Sequence, residues 1–194
     1  MGGMDSDHIY SAIEQVLEEV AAAVHQTSGE SLAQASALME AAPRIFVAGA
    51  GRSGLCMRAL GMRLMHLGKT VYVVSETTTP GITAEDVLIL GSGSGKTPGL
   101  LAIGEQARCL GAKTILFTTD ETAPLAVLAD HLVVIPAPLI EDEMEGETGC
   151  TSVQPLGTLF EQSLLILCDS LILGLMRSNG VSAAQMFERH ANLQ

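Results

Sequence analysis

The chain has 194 residues, enough for one well-buried domain and too few for two ordinary ones, and 47% of them are apolar. Aromatics make up only 3% and Trp is absent, so a core has to be built from Ala, Leu, Val, Ile and nine Met, which suits helices lying on a parallel sheet. A formal charge of −12 argues against nucleic acid or an anionic membrane as partner, and it repels a phosphorylated ligand at long range, so any anion site must rest on local backbone dipoles, hydroxyls and a few placed cations.

Ile9, Ile13, Val16, Leu17, Val20 and Val24 recur at helical spacing and predict an amphipathic helix over about 5–25, with Asp5 or Ser6 as its cap. Thr27-Ser28-Gly29 breaks it, and a second helix over about 30–42 stops before Pro43, giving an N-terminal helical hairpin. Five short apolar runs rich in β-branched residues follow as strands: Arg44–Ala48, Thr70–Ser75, Asp86–Leu90, Lys113–Thr118 and His131–Ile135. Helices over Ser53–Leu67 and Thr97–Leu110 separate the first strand from the second and the third from the fourth. That alternation predicts an α/β fold, a three-layer doubly wound sheet of five mainly parallel strands, in one domain over residues 1–194.

The acidic run Glu141–Glu147 reads as a solvated loop. A long helix is predicted from near Pro155 to about Met176, and a short one from Ser182 to about His190. The apolar stretch Leu164–Met176 is too short for a membrane span and carries Asp169 in its middle, so it reads as a core or subunit-interface helix. Cys56, Cys109, Cys150 and Cys168 lie far apart with no CxxC pair, and no signal peptide precedes the first helix, so a reduced, cytoplasmic setting is expected. Met1-Gly2 with Ser6 fits the loose myristoylation pattern, which is too short to carry weight.

Two glycine-serine loops stand where strands hand over to helices: Gly49-Ala50-Gly51-Arg52-Ser53-Gly54 and Ser92-Gly93-Ser94-Gly95-Lys96-Thr97. Glycine admits positive φ and close approach to a ligand, hydroxyls add donors, and a helix N-terminus supplies unpaired N–H groups with a field that favours anions. Two such loops in one small domain predict a phosphoester held from both sides. The first loop also fits GxGxxG, with Glu76 placed as a ribose-binding acid, but a dinucleotide would leave Arg52, Ser53 and the second loop without a role. The second loop ends in Gly-Lys-Thr, yet Gly91 is one residue too close for a P-loop.

Together and in order, the two loops resemble the SIS (sugar isomerase) domain, whose loops bind the phosphate of phosphosugars. Beyond them, Met-Arg-Leu-Met-His-Leu-Gly (62–68), Glu-Thr-Thr-Thr-Pro (76–80), Pro-Leu-Gly-Thr-Leu-Phe-Glu (155–161) and Arg-His-Ala-Asn-Leu (189–193) resemble the 6-phospho-3-hexuloisomerase family over nearly the whole chain. The resemblance implies conversion of D-arabino-hex-3-ulose 6-phosphate to D-fructose 6-phosphate, in the ribulose monophosphate route of formaldehyde fixation. It implies no cofactor, a homotetramer with sites shared between subunits, and a functional link to hexulose-phosphate synthase. Lys96 stands where the family commonly has Glu, and the run 141–147 has no obvious match.

Moving a carbonyl between adjacent carbons through a cis-enediol needs a base and a group that stabilises the oxyanion. Glu161, between Leu159-Phe160 and Leu164-Leu165 near a helix start, is expected to be part-buried and to serve as that base. His190, with Arg189 and Asn192, forms a polar cluster on the tail, which in the resembled family reaches a neighbouring subunit's site. Gly51, Ser53, Ser92, Ser94 and Thr97 are expected to hold phosphate, and His190 and Arg52 to assist at the sugar oxygens. Lys96 opposes the helix field in a first turn, so it either meets an anion or is a solvated lysine. His66 is expected to pack beside the sheet, and no His, Cys and acid set has metal-ligand spacing. The rival readings are another SIS aldose–ketose isomerase, such as one acting on arabinose 5-phosphate, and a non-catalytic phosphosugar sensor.

Overall fold

A computed structural model describes residues 6–138 and 152–193; Asp5, the acidic run 141–147 and Cys150 lie outside the described residues. In chain order the elements are α1 (Ser6–Gln26), α2 (Gly29–Ala41), β1 (Arg44–Gly49), α3 (Gly51–His66), β2 (Thr70–Val73), β3 (Val87–Gly91), α4 (Pro98–Cys109), β4 (Lys113–Thr118), α5 (Pro124–Leu128), β5 (His131–Val134), α6 (Thr158–Ser178) and α7 (Ala183–Phe187). The five strands form one sheet in the order β2-β1-β3-β4-β5, and every neighbouring pair is parallel.

Because strand side chains alternate between faces, each strand feeds two cores. Ile45, Val47, Ile89, Ile115 and Phe117 point to the side covered by α1, α2, α3 and α6, whereas Phe46, Ala48, Leu88, Leu90 and Leu116 point to the side covered by α4 and α5. Both faces are buried, which is why the strands read as continuous apolar runs rather than alternating ones. The short helix α5 was not expected; its one sequence signal is Pro124 at the first helical position.

α6 corrects two expectations. It opens at Thr158 rather than near Pro155, because Leu156 (φ 60°) and Gly157 (φ 73°) take left-handed conformations and turn the chain first. It also runs for 21 residues and is long and apolar enough by length and composition to cross a membrane, although half of its most apolar window is buried here against the rest of the fold. It packs on α3, α1 and α2 as a core helix.

The strand order places a switch point between β1 and β3. From β1 the chain leaves through α3 on one face, and from β3 it leaves through α4 on the other. A crevice opens at the carboxyl ends of these two strands, where Gly49 and Gly91 are register partners.

At the opposite, amino end, Asp86 is buried and ties β1 to the β2–β3 connection. Its oxygens accept hydrogen bonds from Arg44 Nε (2.8 Å), Arg44 Nη2 (2.6 Å), the Thr83 N–H (2.6 Å) and the Thr83 hydroxyl (2.8 Å). Burial pushes this carboxyl up, but the hydrogen bonds from Arg44 and Thr83 outweigh it and hold the group below the ordinary carboxylate range. A depressed folded-state value means stability that is present above the unfolded value, ~4, and is lost as pH falls through the folded one. Asp86→Ala is therefore expected to cost about 2–3 kcal/mol at pH 7. Urea melts at a series of pH values check this: the gap between parent and variant should shrink below pH ~4.

Candidate active site

The first loop depends on a contact that only glycine permits. A Cβ on Gly54 would lie 2.6 Å from the Gly49 carbonyl oxygen, so α3 can start against the end of β1 only because both positions lack side chains. Arg52 and Ser53 consequently fall in the first turn of α3, two residues earlier than the sequence pattern suggests. In the second loop Gly95 takes φ +59°, and the Ser92 hydroxyl accepts the Gly95 N–H (3.2 Å) and lies 3.4 Å from the Thr97 hydroxyl. The Ser94 hydroxyl accepts the Lys96 N–H (3.3 Å), while the hydroxyls of Thr118 and Thr119 both donate to the Gly93 carbonyl and tie the loop to the end of β4.

These loops form two walls of a cleft of about 300 Å³, and the turn Leu156-Gly157 with Phe160 and Glu161 forms the third. Three helices therefore begin at the cleft: α3 behind Ala50, α4 behind Thr97 and α6 behind Gly157, and none of the three has a side-chain cap. Among the other described helices, α2 is capped by Ser28 and α7 by a Ser182–Gln185 capping box, while α5 has no side-chain cap either. Pro98 has no N–H to offer and the Leu100 and Thr158 N–H groups go to the Thr97 and Pro155 carbonyls, but the remaining first-turn N–H groups have no side-chain cap, and the helix dipoles add a field that favours an anion in a protein whose net charge is −12.

Glu161 lies in the first turn of α6, with its side chain 14% exposed. Its Oε2 is 3.1 Å from Arg52 Nη1, yet that oxygen is buried and accepts no hydrogen bond, while Arg52 Nη1 donates to the Thr158 hydroxyl at 2.9 Å. The pair is thus a contact between charges without a directed bond, and a carboxylate oxygen keeps its proton-accepting capacity. Burial pushes the Glu161 carboxyl above its ordinary value, and the Arg52 cation pulls the other way. Cys56 sits below, its thiol donating to the Glu161 carbonyl (3.4 Å); burial and the Glu161 charge keep it protonated by raising its pKa.

The structure brings together Gly51, Arg52, Ser53, Ser92, Ser94, Thr97 and Glu161 around this cleft. It does not bring in Lys96, which is exposed outside the lining and helps, behind the hydrogen bonds of Thr122, to hold Asp120 below the ordinary carboxylate range. Nor does it bring in His190, which lines a separate groove of about 430 Å³ with Arg63, His66, Asp169 and Phe187 and stacks on His66 at 5.4 Å. His66 is buried as expected, and burial, with Arg63 and His190 adding, pushes its imidazole below the ordinary range. Glu76, the acid a dinucleotide would need, instead pairs with Arg58 outside the cleft. Among the described residues no three His, Cys, Asp or Glu side chains are grouped to hold a metal. Thr119, Phe160 and Thr158 were missed: a threonine after a strand and a phenylalanine in a helix carry no local mark of a site.

The SIS domain family model matches residues 38–166. A protein of Mycobacterium gastri named 3-hexulose-6-phosphate isomerase is 41% identical over 188 residues, covering 97% of this chain and 92% of its own. One of the same name from Bacillus subtilis is 35% identical over 182 residues, covering 94% of this chain and 97% of its own. The crystal structure of a Methanococcus jannaschii protein, for which the function of 3-hexulose-6-phosphate isomerase is inferred, superposes with a TM-score of 0.82 at 29% identity, over 95% of this chain and 99% of its own. The chain belongs to the SIS domain family, and within it to the group of proteins named 3-hexulose-6-phosphate isomerase.

Proposed function

We propose that the cleft between the three helix starts is the active site of an isomerase that converts D-arabino-hex-3-ulose 6-phosphate to D-fructose 6-phosphate. The observation that carries this reading is the meeting of three helix N-termini without side-chain caps with one carboxylate whose buried Oε2 accepts no hydrogen bond. The names of the relatives supply the sugar. The phosphate is held by the first turns of α3 and α4 and by the hydroxyls of Ser53, Ser92, Ser94 and Thr97, and the sugar carbons lie toward α6. Glu161 takes the proton from C2, an enediol forms across C2 and C3, and the proton returns to C3 while the oxygen-bound proton moves from O2 to O3. Arg52, beside Glu161, stabilises the negative charge that develops on the sugar oxygens. The reaction fits downstream of a synthase that makes the hexulose phosphate.

His190 can act in this chemistry only from another subunit, since within one chain it lines a different groove. Exposed apolar side chains at Ile9, Tyr10, Ile13 and Leu17 on α1, Leu55 and Met62 on α3, and Leu173 on α6 support an oligomer, which we take to be a tetramer.

The direct test is turnover. The purified chain is expected to form fructose 6-phosphate from the 3-hexulose phosphate and to leave arabinose 5-phosphate unchanged; a folded protein that forms none ends the reading. Ser94→Ala with Thr97→Ala should raise KM while leaving kcat nearly unchanged, each lost hydrogen bond to a charged group being worth roughly 1.5–3 kcal/mol. The acid limb of the pH–rate profile reports Glu161, which must be ionised to act. Arg52→Gln removes the cation that opposes its raised pKa, so the limb should move to higher pH, and a limb that stays in place would take Arg52 away from the base. Finally, Glu161→Gln and His190→Ala, each nearly inactive alone, should regain activity when unfolded together and refolded as a mixture. Random pairing leaves about one site in four intact, and mixtures that stay inactive despite subunit exchange would remove the shared site.

A further inference from the structure

The turn that forms the third wall of the cleft is held from outside it. Glu19, on α1, accepts three hydrogen bonds from the segment ahead of α6: the Val153 N–H on Oε1 (2.8 Å), and the Ser152 hydroxyl (2.6 Å) and Gln154 Nε2 (2.9 Å) on Oε2. The Ser152 hydroxyl in turn accepts the Gln154 N–H (3.0 Å). Burial pushes Glu19 up, but these donors outweigh it and hold the carboxyl below its ordinary range, so it is ionised at neutral pH.

From this clamp a continuous path leads to the base. Pro155 O accepts both the N–H (3.1 Å) and the hydroxyl (2.6 Å) of Thr158, the Thr158 hydroxyl accepts Arg52 Nη1 (2.9 Å), and the same Nη1 lies 3.1 Å from Glu161 Oε2. Between clamp and helix lies Leu156 at φ 60°, a conformation that L side chains seldom adopt and that surrounding contacts have to maintain. α1 lies outside the stretch matched by the family model, and no step of the isomerisation above uses Glu19.

We infer that Glu19 is a positioning residue for the isomerisation: its carboxylate staples the 152–157 turn to α1 and so holds the first turn of α6, with Thr158 and Glu161, in register with Arg52. The inference rests on the isomerase reading of the cleft. The staple needs acceptors rather than charge. In Glu19→Gln the amide oxygen still receives the Val153 N–H, the new amide N–H can be received by Gln154 Oε1 once the Gln154 amide turns over, and only the Ser152 hydroxyl loses its acceptor, so two of the three ties remain.

The test compares the full-length parent, Glu19→Ala and Glu19→Gln by hydrogen exchange without sugar, by thermal melting and by steady-state kinetics on the 3-hexulose phosphate. For Glu19→Ala, exchange over 152–161 should quicken about tenfold while the strands keep their protection. Its kcat should fall about tenfold to hundredfold with KM changed less than about threefold, because the base is displaced while the two phosphate loops are untouched. Glu19→Gln should stay within about threefold of the parent in kcat. Parent kcat and parent exchange in Glu19→Ala overturn the inference, as does equal impairment of the two variants, or exchange that quickens throughout the chain with activity tracking the folded fraction. Should Glu19→Ala fail to fold, Ser152→Ala removes one of the three donors, and a partial kcat loss with exchange quickened in the same segment is then the supporting result, with parent values overturning it. If Glu19→Ala matches an active parent, only the positioning role fails; a parent that forms no fructose 6-phosphate ends the isomerase reading and this inference together.

Discussion

Everything in the cleft follows from how closely the backbone of α3 approaches the end of β1. With no side chains at Gly49 and Gly54, the strand carboxyl end and the helix first turn lie in direct contact, and Arg52 and Ser53 start the helix at the edge of the crevice. The neighbouring strand ends level with it, Gly91 opposite Gly49, so the second loop leaves from the same height and turns to the other face of the sheet. A methyl group at either loop glycine would lift α3 away, and one wall of the crevice would be displaced with it.

That geometry resolves the tension between an acidic protein and an anionic ligand. Distant charge acts through water and salt and decays within about 10 Å at moderate ionic strength, whereas N–H groups at a helix start act in contact. Net charge therefore governs solubility and encounter, while local dipoles govern what is held. The same short range explains the balance at Glu161. Burial makes its charged form costly, and one half-exposed arginine reduces that cost without a hydrogen bond to the buried Oε2. A fully directed Arg–carboxylate bond would make a more stable ion pair and a weaker base.

The order and type of the main elements were legible because strands buried on both faces leave unbroken apolar runs, and because Pro43 and the glycine-rich loops punctuate the chain strongly. Seven of the nine expected site residues line one cleft, since loops after parallel strands share one end of the sheet. What could not be read depends on contacts distant in sequence. Pro155 has the form of a helix start, but Leu156 and Gly157 reverse the chain before α6 can begin. Thr158 links Arg52 to Pro155 across more than a hundred residues, as Glu19 links α1 to Ser152, and neither threonine nor glutamate at those positions differs locally from a surface residue. Lys96 follows the loop pattern in sequence, yet its side chain lies outside the crevice.

The three open helix starts also bear on how such a site changes over generations. In the proposed site the hydroxyls can be lost one by one, whereas the main-chain N–H groups are the same whatever side chains decorate them and survive point substitutions unless these disturb a glycine or insert a proline. Leu156 and Phe160 line the α6 wall, apart from the two glycine-serine loops that the proposal assigns to the phosphate. On that reading, descendants of this fold can exchange one sugar for another by altering a single wall, while the main-chain part of the anchor is inherited with the backbone.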